Sequence, residues 1–64
     1  LGESPQKYLL NLRMYKATLL LKETDLSISQ ISSNIGYDDP LFFSKTFSKH
    51  FSISASQYRK LYKK

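Results

Sequence analysis

The chain has 64 residues, a formal net charge of +5 and no cysteine. That allows one small domain with neither a disulfide nor a thiolate metal site to staple it, so helix packing or a partner must hold it together. No apolar run approaches the roughly 18 residues that span a bilayer, and no signal-peptide pattern opens the chain, so no membrane role by insertion is expected and a cytoplasmic setting suits the composition.

The first predicted element is a helix over 5–22. Ser4-Pro5 supplies an N-cap and then proline in the first turn, and helix formers continue to Lys22. At about 100° per residue, Leu10, Met14, Ala17 and Leu21 form one stripe, while Tyr8, Leu12, Tyr15 and Leu19 form another roughly 200° away. A surface helix needs one apolar face. Two opposed faces predict packing on both sides, unless Tyr8 and Tyr15 simply sit half exposed with wet hydroxyls. The residues downstream can cover one side but leave little for the other, which suggests an upstream segment or association.

A polar connection, Lys22 to Leu26, leads to Ser27, a good N-cap with Leu26 placed as a hydrophobic staple. Ile28, Ile31 and Ile35 then recur at helical spacing, and Gly36 can take a left-handed backbone that stops the helix. Asp39-Pro40 is a second cap with proline at the first helical position, opening a helix over about 40–50 that begins Leu41, Phe42, Phe43. Two short helices joined by a tight, glycine-marked corner are the sequence form of a helix-turn-helix. After His50 the chain turns at 51–53, and Ser54 caps a last helix from Ala55 to about Leu61. No run has the alternation of a strand, so the predicted fold class is all-α.

The charge is unevenly placed. All five acids (Glu3, Glu23, Asp25, Asp38, Asp39) precede Pro40, while Lys45, Lys49, Arg59, Lys60, Lys63 and Lys64 follow it with no acid among them. Such a block suits a polyanion, either nucleic acid or an anionic membrane, although a solvated basic face gives the same pattern. Catalysis has nothing to stand on: His50 is the single histidine, and capping accounts for Asp38-Asp39 without a metal. The sequence therefore reads as a non-enzyme with no cofactor and no metal.

The run Ile28-x-x-Ile31-Ser32-x-x-Ile35-Gly36-Tyr37-x-Asp39-x-x-x-Phe43-Ser44-Lys45-x-Phe47 resembles the signature of the AraC/XylS-type bacterial transcription regulators. The resemblance continues through Phe51 to Arg59 and runs back through Ser4-Pro5-x-x-Tyr8-Leu9 and Arg13-Met14-x-x-Ala17-x-x-Leu20-Leu21. It implies a homeodomain-like three-helix core and a DNA-binding region of two helix-turn-helices joined by a long linker helix. Residues 5–22 are then the linker helix, 23–64 the second helix-turn-helix with its C-terminal helix, and 1–4 the end of an absent upstream unit. An internal echo agrees: Leu1 to Tyr8 and Phe51 to Tyr58 share a bulky residue, a small one, Ser, Pro or Ala, and a later Tyr.

What the resemblance implies for the site is a recognition helix over about 40–50 lying in the major groove of double-stranded DNA. Phe43 and Phe47 should face the core with Ile31 and Ile35, leaving Leu41, Phe42 and Lys45 as base-facing candidates. Lys45 can serve guanine or a phosphate, and Leu41 and Phe42 suit thymine methyls, unless they are simply core. Phosphate candidates are Ser27, Ser29, Gln30, Ser44, Lys49 and Arg59. Arg13 also matches a family position but equally suits pairing with an acid.

The resemblance also implies an upstream helix-turn-helix packed on the linker helix and dimerisation through absent segments, and it leaves room for a contact with RNA polymerase. Three departures from the family pattern carry physical consequences. Ser52 stands where glycine is common, so the turn after His50 is strained or differently shaped. Ala55 replaces a frequent proline, and Ser32 a frequent alanine, so its hydroxyl needs a partner such as a backbone carbonyl one turn back. The competing reading is a protein–protein or anionic membrane-surface module, since basic amphipathic helices bind such lipid.

Overall fold

Every helix in the structure begins at a side-chain oxygen that takes up a first-turn amide. The computed structural model describes residues 4–63, in four helices: α1 (Pro5–Glu23), α2 (Ile28–Asn34), α3 (Pro40–Phe51) and α4 (Ala55–Tyr62). No strand occurs among the described residues, so the fold class is the all-α one predicted. Ser4 and Ser54 cap α1 and α4 alike, each Oγ accepting from the amide three residues on at 3.1 Å. At α2 the Ser27 Oγ accepts from the Gln30 amide at 3.0 Å while Gln30 Oε1 accepts from the Ser27 amide at 2.9 Å, a reciprocal capping box. Asp39 Oδ1 accepts from the Leu41 amide at 3.0 Å, with Pro40 at the first helical position.

The corner between α2 and α3 depends on Gly36, whose φ of +102° is in the left-handed range. The reversal lets the Gly36 amide donate to the Ser33 carbonyl at 3.2 Å and the Tyr37 amide to the Ser32 carbonyl at 2.9 Å, satisfying carbonyls that the helix end would otherwise orphan. It also corrects the expected partner of Ser32. The buried Ser32 Oγ donates forward, to the Tyr37 carbonyl at 3.3 Å, because the turn has folded that carbonyl back over it. The turn after α3 is left-handed too, at Ser52 with φ 66°. A side chain at that position carries the strain that the missing glycine implied.

The core gathers Met14, Ala17 and Leu21 from α1, Ile31 and Ile35 from α2 and its end, Tyr37 from the corner, Phe43 and Phe47 from α3, and Ala55 from α4. Leu10, Leu26, Phe51 and Tyr58 pack around it. α1 lies against α2 and α4, and α3 against the same two helices. Of the two stripes on α1, the first is covered by the described residues, and of the second only Leu19 is half-buried. Tyr8 and Tyr15 of the second are 62% and 60% exposed, and Leu12 is exposed with them.

Of the proposed echo of the α4 entry at the chain start, residues 1–3 lie outside the described residues. Its described part, the Ser4 cap, matches Ser54 in backbone as well: φ −71°, ψ 154° against φ −72°, ψ 157°.

The two left-handed positions predict opposite responses. Gly36→Ala should cost about 1–3 kcal/mol, through its φ and through a Cβ built 3.2 Å from Arg13 Nη2. Ser52→Gly should instead stabilise, by about 0.5–1 kcal/mol. Thermal unfolding of both variants measures this, and a Tm that moves the same way in both would contradict the assignment of strain.

Candidate nucleic-acid interface

α3 is turned so that Phe43 and Phe47, one helical turn apart, are both fully buried. Positions two residues away on a helix point roughly 200° off, which sends Leu41 and Lys45 outward on one line. Leu41 is 72% exposed and Phe42 58% exposed, so neither belongs to the core. Lys45 and Lys49 are exposed, and Ser44 is half-buried. Phe42, Lys45, Thr46 and Lys49 line a groove of about 740 Å³ with Leu10, Tyr37 and His50, between α3 and the start of α1. The structure thus brings Phe42, Lys45 and Lys49 to one groove, with Leu41 beside Phe42 in the first turn of α3.

Two side chains that the sequence left undecided support this surface. The Arg13 guanidinium lies over the Tyr37 ring, 5.1 Å from its centroid. Tyr37 in turn meets Phe42 edge to face at 5.6 Å. The partner shown for Arg13 is therefore an aromatic face rather than an acid, and α1 reaches the first turn of α3 through it. At the other end of α3, His50 Nε2 lies 3.1 Å from Asn11 Oδ1, a second tie to α1.

The phosphate candidates divide. Ser27, Ser29 and Gln30 are exposed at the start of α2, with Ser27 and Gln30 engaged in the capping box. Arg59 has a structural task that the sequence did not indicate. Its Nε donates to the Leu21 carbonyl and its Nη2 to the Thr24 carbonyl, both at 3.1 Å, so it caps the C-terminal end of α1. Below it, Lys63 Nζ lies 2.7 Å from Asp25 Oδ1, and that hydrogen bond and charge hold the Asp25 carboxyl below the usual carboxylate range. Among the described residues no group of histidine and carboxylates is placed to hold a metal, and no helix is long and apolar enough to cross a membrane.

An N-capped helix, a left-handed glycine corner and a second helix with its basic face outward define a helix-turn-helix domain. The family model described as "Helix-turn-helix domain" matches residues 1–61, and the chain belongs to that family, in its AraC/XylS type. It is 59% identical over 59 residues to the lactose operon transcription activator of Staphylococcus xylosus, covering 92% of this chain and 21% of that protein. With the Msm operon regulatory protein of Streptococcus mutans the identity is 42% over 57 residues, 89% of this chain and 20% of that one.

Among solved structures, the C-terminal domain of AraT, a response regulator from Geobacillus stearothermophilus, superposes with TM-score 0.94 at 38% identity, covering 98% of this chain and 52% of that one. The DNA-binding domain of AdpA, a global transcriptional factor solved with a target DNA, gives TM-score 0.88 at 26% identity over 95% of this chain and 55% of that one. The chain thus spans about a fifth of those curated relatives and about half of those solved domains.

Because Arg59 faces α1 carbonyls, Arg59→Ala should lower stability by about 1.5–3 kcal/mol in thermal unfolding, the range for hydrogen bonds to a charged group. An unchanged Tm would contradict the capping role. The Asp25–Lys63 pair adds a pH dependence of known sign. A carboxyl whose pKa is lowered by folding contributes stability above its unfolded pKa, lost as the pH falls through the lowered folded value. Asp25→Asn should therefore flatten a small decline of Tm on the acid side; an identical acid limb in both proteins would show that the pair contributes nothing measurable.

Proposed function

We infer that this chain binds double-stranded DNA with sequence preference, as the half of an AraC-type DNA-binding domain formed by a linker helix, 5–22, and a second helix-turn-helix, 23–64. The observation that carries this reading is the outward line of Leu41, Phe42, Lys45 and Lys49 on a helix whose inner face is fixed by Phe43 and Phe47. A helix of 12 residues fits the major groove with such a face toward base edges.

In this reading Lys45 donates to guanine or to a phosphate, and Lys49 and Ser44 contact phosphates, helped by Ser27, Ser29 and Gln30 from α2. Arg59 is left out, since its nitrogens hold α1. The uncovered stripe on α1, with Tyr8, Leu12 and Tyr15, is where an upstream helix-turn-helix packs, in line with the half-length coverage of the solved relatives. In this reading effector sensing and dimerisation belong to upstream segments, and RNA polymerase is a further partner open to the domain. The setting is the bacterial cytoplasm, and the activity is binding without catalysis.

Binding carried by lysine contacts to phosphates should weaken steeply with salt, log K falling by about 0.9 per phosphate neutralised for each unit of log salt. Duplex affinity measured at two salt concentrations tests this. Binding that ignores salt, or none at low salt, would count against the reading. Lys45→Ala should cost about 1–3 kcal/mol of DNA affinity with unchanged helix content by circular dichroism. A collapse of helicity would instead make Lys45 a structural residue.

A further inference from the structure

We propose that the first turn of α3 is a reader of C5 methyl groups. On this view Leu41 and Phe42 select thymine, and by the same chemistry 5-methylcytosine, by apolar contact, and this sets most of the base preference of this half-site. The inference rests on the DNA-binding reading and adds the kind of base that the surface takes.

Within 40–47 the fully presented side chains are Leu41, Phe42 and Lys45, while Pro40, Ser44 and Thr46 are half-buried and Phe43 and Phe47 are buried. Two of the polar groups around the apolar pair are already engaged. The Leu41 amide is bonded to Asp39 Oδ1, and Thr46 Oγ1 donates to the Phe42 carbonyl at 2.8 Å. What the first turn offers a base edge is therefore a branched aliphatic tip and a phenyl ring.

In the major groove the one apolar feature that distinguishes the unmodified bases is the thymine methyl, and a methylated cytosine presents the same group at C5. Phe42 is also held in place before any DNA arrives. Its ring meets Tyr37 edge to face, and the buried Tyr37 is gripped from behind by Arg13. A ring already fixed loses little rotamer freedom on binding, so its contact contributes more fully to affinity. Charge complementarity points to the occupant: Lys45 and Lys49 follow the apolar pair one and two turns along α3, Asp39 before it is occupied as the helix cap, and no acid occurs from Pro40 onward.

The test begins with duplex sites selected by the intact protein from a random pool at low salt. Each thymine in a selected site is then replaced by deoxyuridine, which removes only the methyl. At the positions under α3 the replacement should weaken binding about fourfold, the effect of ~0.8 kcal/mol per buried methyl at 1.4 kcal/mol per tenfold. Leu41→Ala and Phe42→Ala, each checked for an unchanged Tm, should bring the thymine-to-uracil ratio toward one while Lys45-dependent binding persists.

A converse arm changes that pair to C·G and then to 5-methylcytosine·G, where the methyl should recover about the same factor. If Phe42→Ala loosens the fold, Leu41→Ala alone decides, since Leu41 has the most exposed side chain of the pair. Equal affinity for thymine and uracil at every position, or a ratio that survives in Leu41→Ala, overturns methyl reading and leaves DNA binding standing. Failure to bind any duplex at low salt overturns both.

Discussion

The burial of Phe43 and Phe47 determines the rest of this molecule. A helix as short as α3 is not stable by itself in water, because its nucleation cost is recovered only through packing. Two aromatic side chains one turn apart, each fully buried, supply that packing, at roughly 1.5–3 kcal/mol apiece from area alone. They also fix the rotation of α3 about its own axis. The ring contacts at 5.9 Å between them, and on to Tyr37 at 5.8 Å and Tyr58 at 5.6 Å, leave no freedom to roll. Once those two rings point inward, helical geometry directs Leu41 and Lys45 outward. The outward face of α3 is thus set by the core, and on the proposed DNA-binding reading a change that lets α3 roll would disturb that face without touching any residue on it.

α4 has a structural purpose that its exposed surface conceals. It returns the chain to α1, where Arg59 satisfies the carbonyls of Leu21 and Thr24. Those carbonyls lie at the end of α1, just before the loop that delivers the chain to Ser27. Thr24 serves the same junction from within, its Oγ1 donating to the Leu20 carbonyl at 2.6 Å and accepting from the Leu26 amide at 3.2 Å. The position of α2, and through it the corner at Gly36, therefore depends on hydrogen bonds made by the last helix. In a domain this small, with no disulfide, such ties are a sizeable share of total stability.

What could be read from sequence was local. Caps at Ser4, Ser27, Asp39 and Ser54, the left-handed stop at Gly36 and the inward pair Phe43 and Phe47 each follow from residues within one or two turns of each other. Helix ends fell within a residue or so of their predicted places for the same reason. What could not be read was contact between distant parts of the chain. Nothing near Arg59 indicates that it meets a carbonyl at Leu21, and nothing near His50 indicates Asn11.

Arg13 is a case between the two, because its position was noticed but its partner, an aromatic ring, has no local signature. Ser32 shows a different failure. The need for a partner was legible, yet its direction depended on how far the glycine corner folds Tyr37 back.

The surface of α3 separates two tasks that DNA-binding proteins often merge. On the proposed reading, Lys49, and Lys45 where it meets a phosphate rather than guanine, raise affinity and encounter rate on any sequence. Of the acids, Asp39 is occupied as the cap at the start of α3, and Asp25 pairs with Lys63. In the proposed reading Leu41 and Phe42 act only in contact, and apolar contacts of that kind are indifferent to salt. Discrimination made by such groups should survive at ionic strengths that weaken the electrostatic part. Affinity and specificity would then respond to different variables, ionic strength for the first and base methylation for the second, and each can be varied without moving the other.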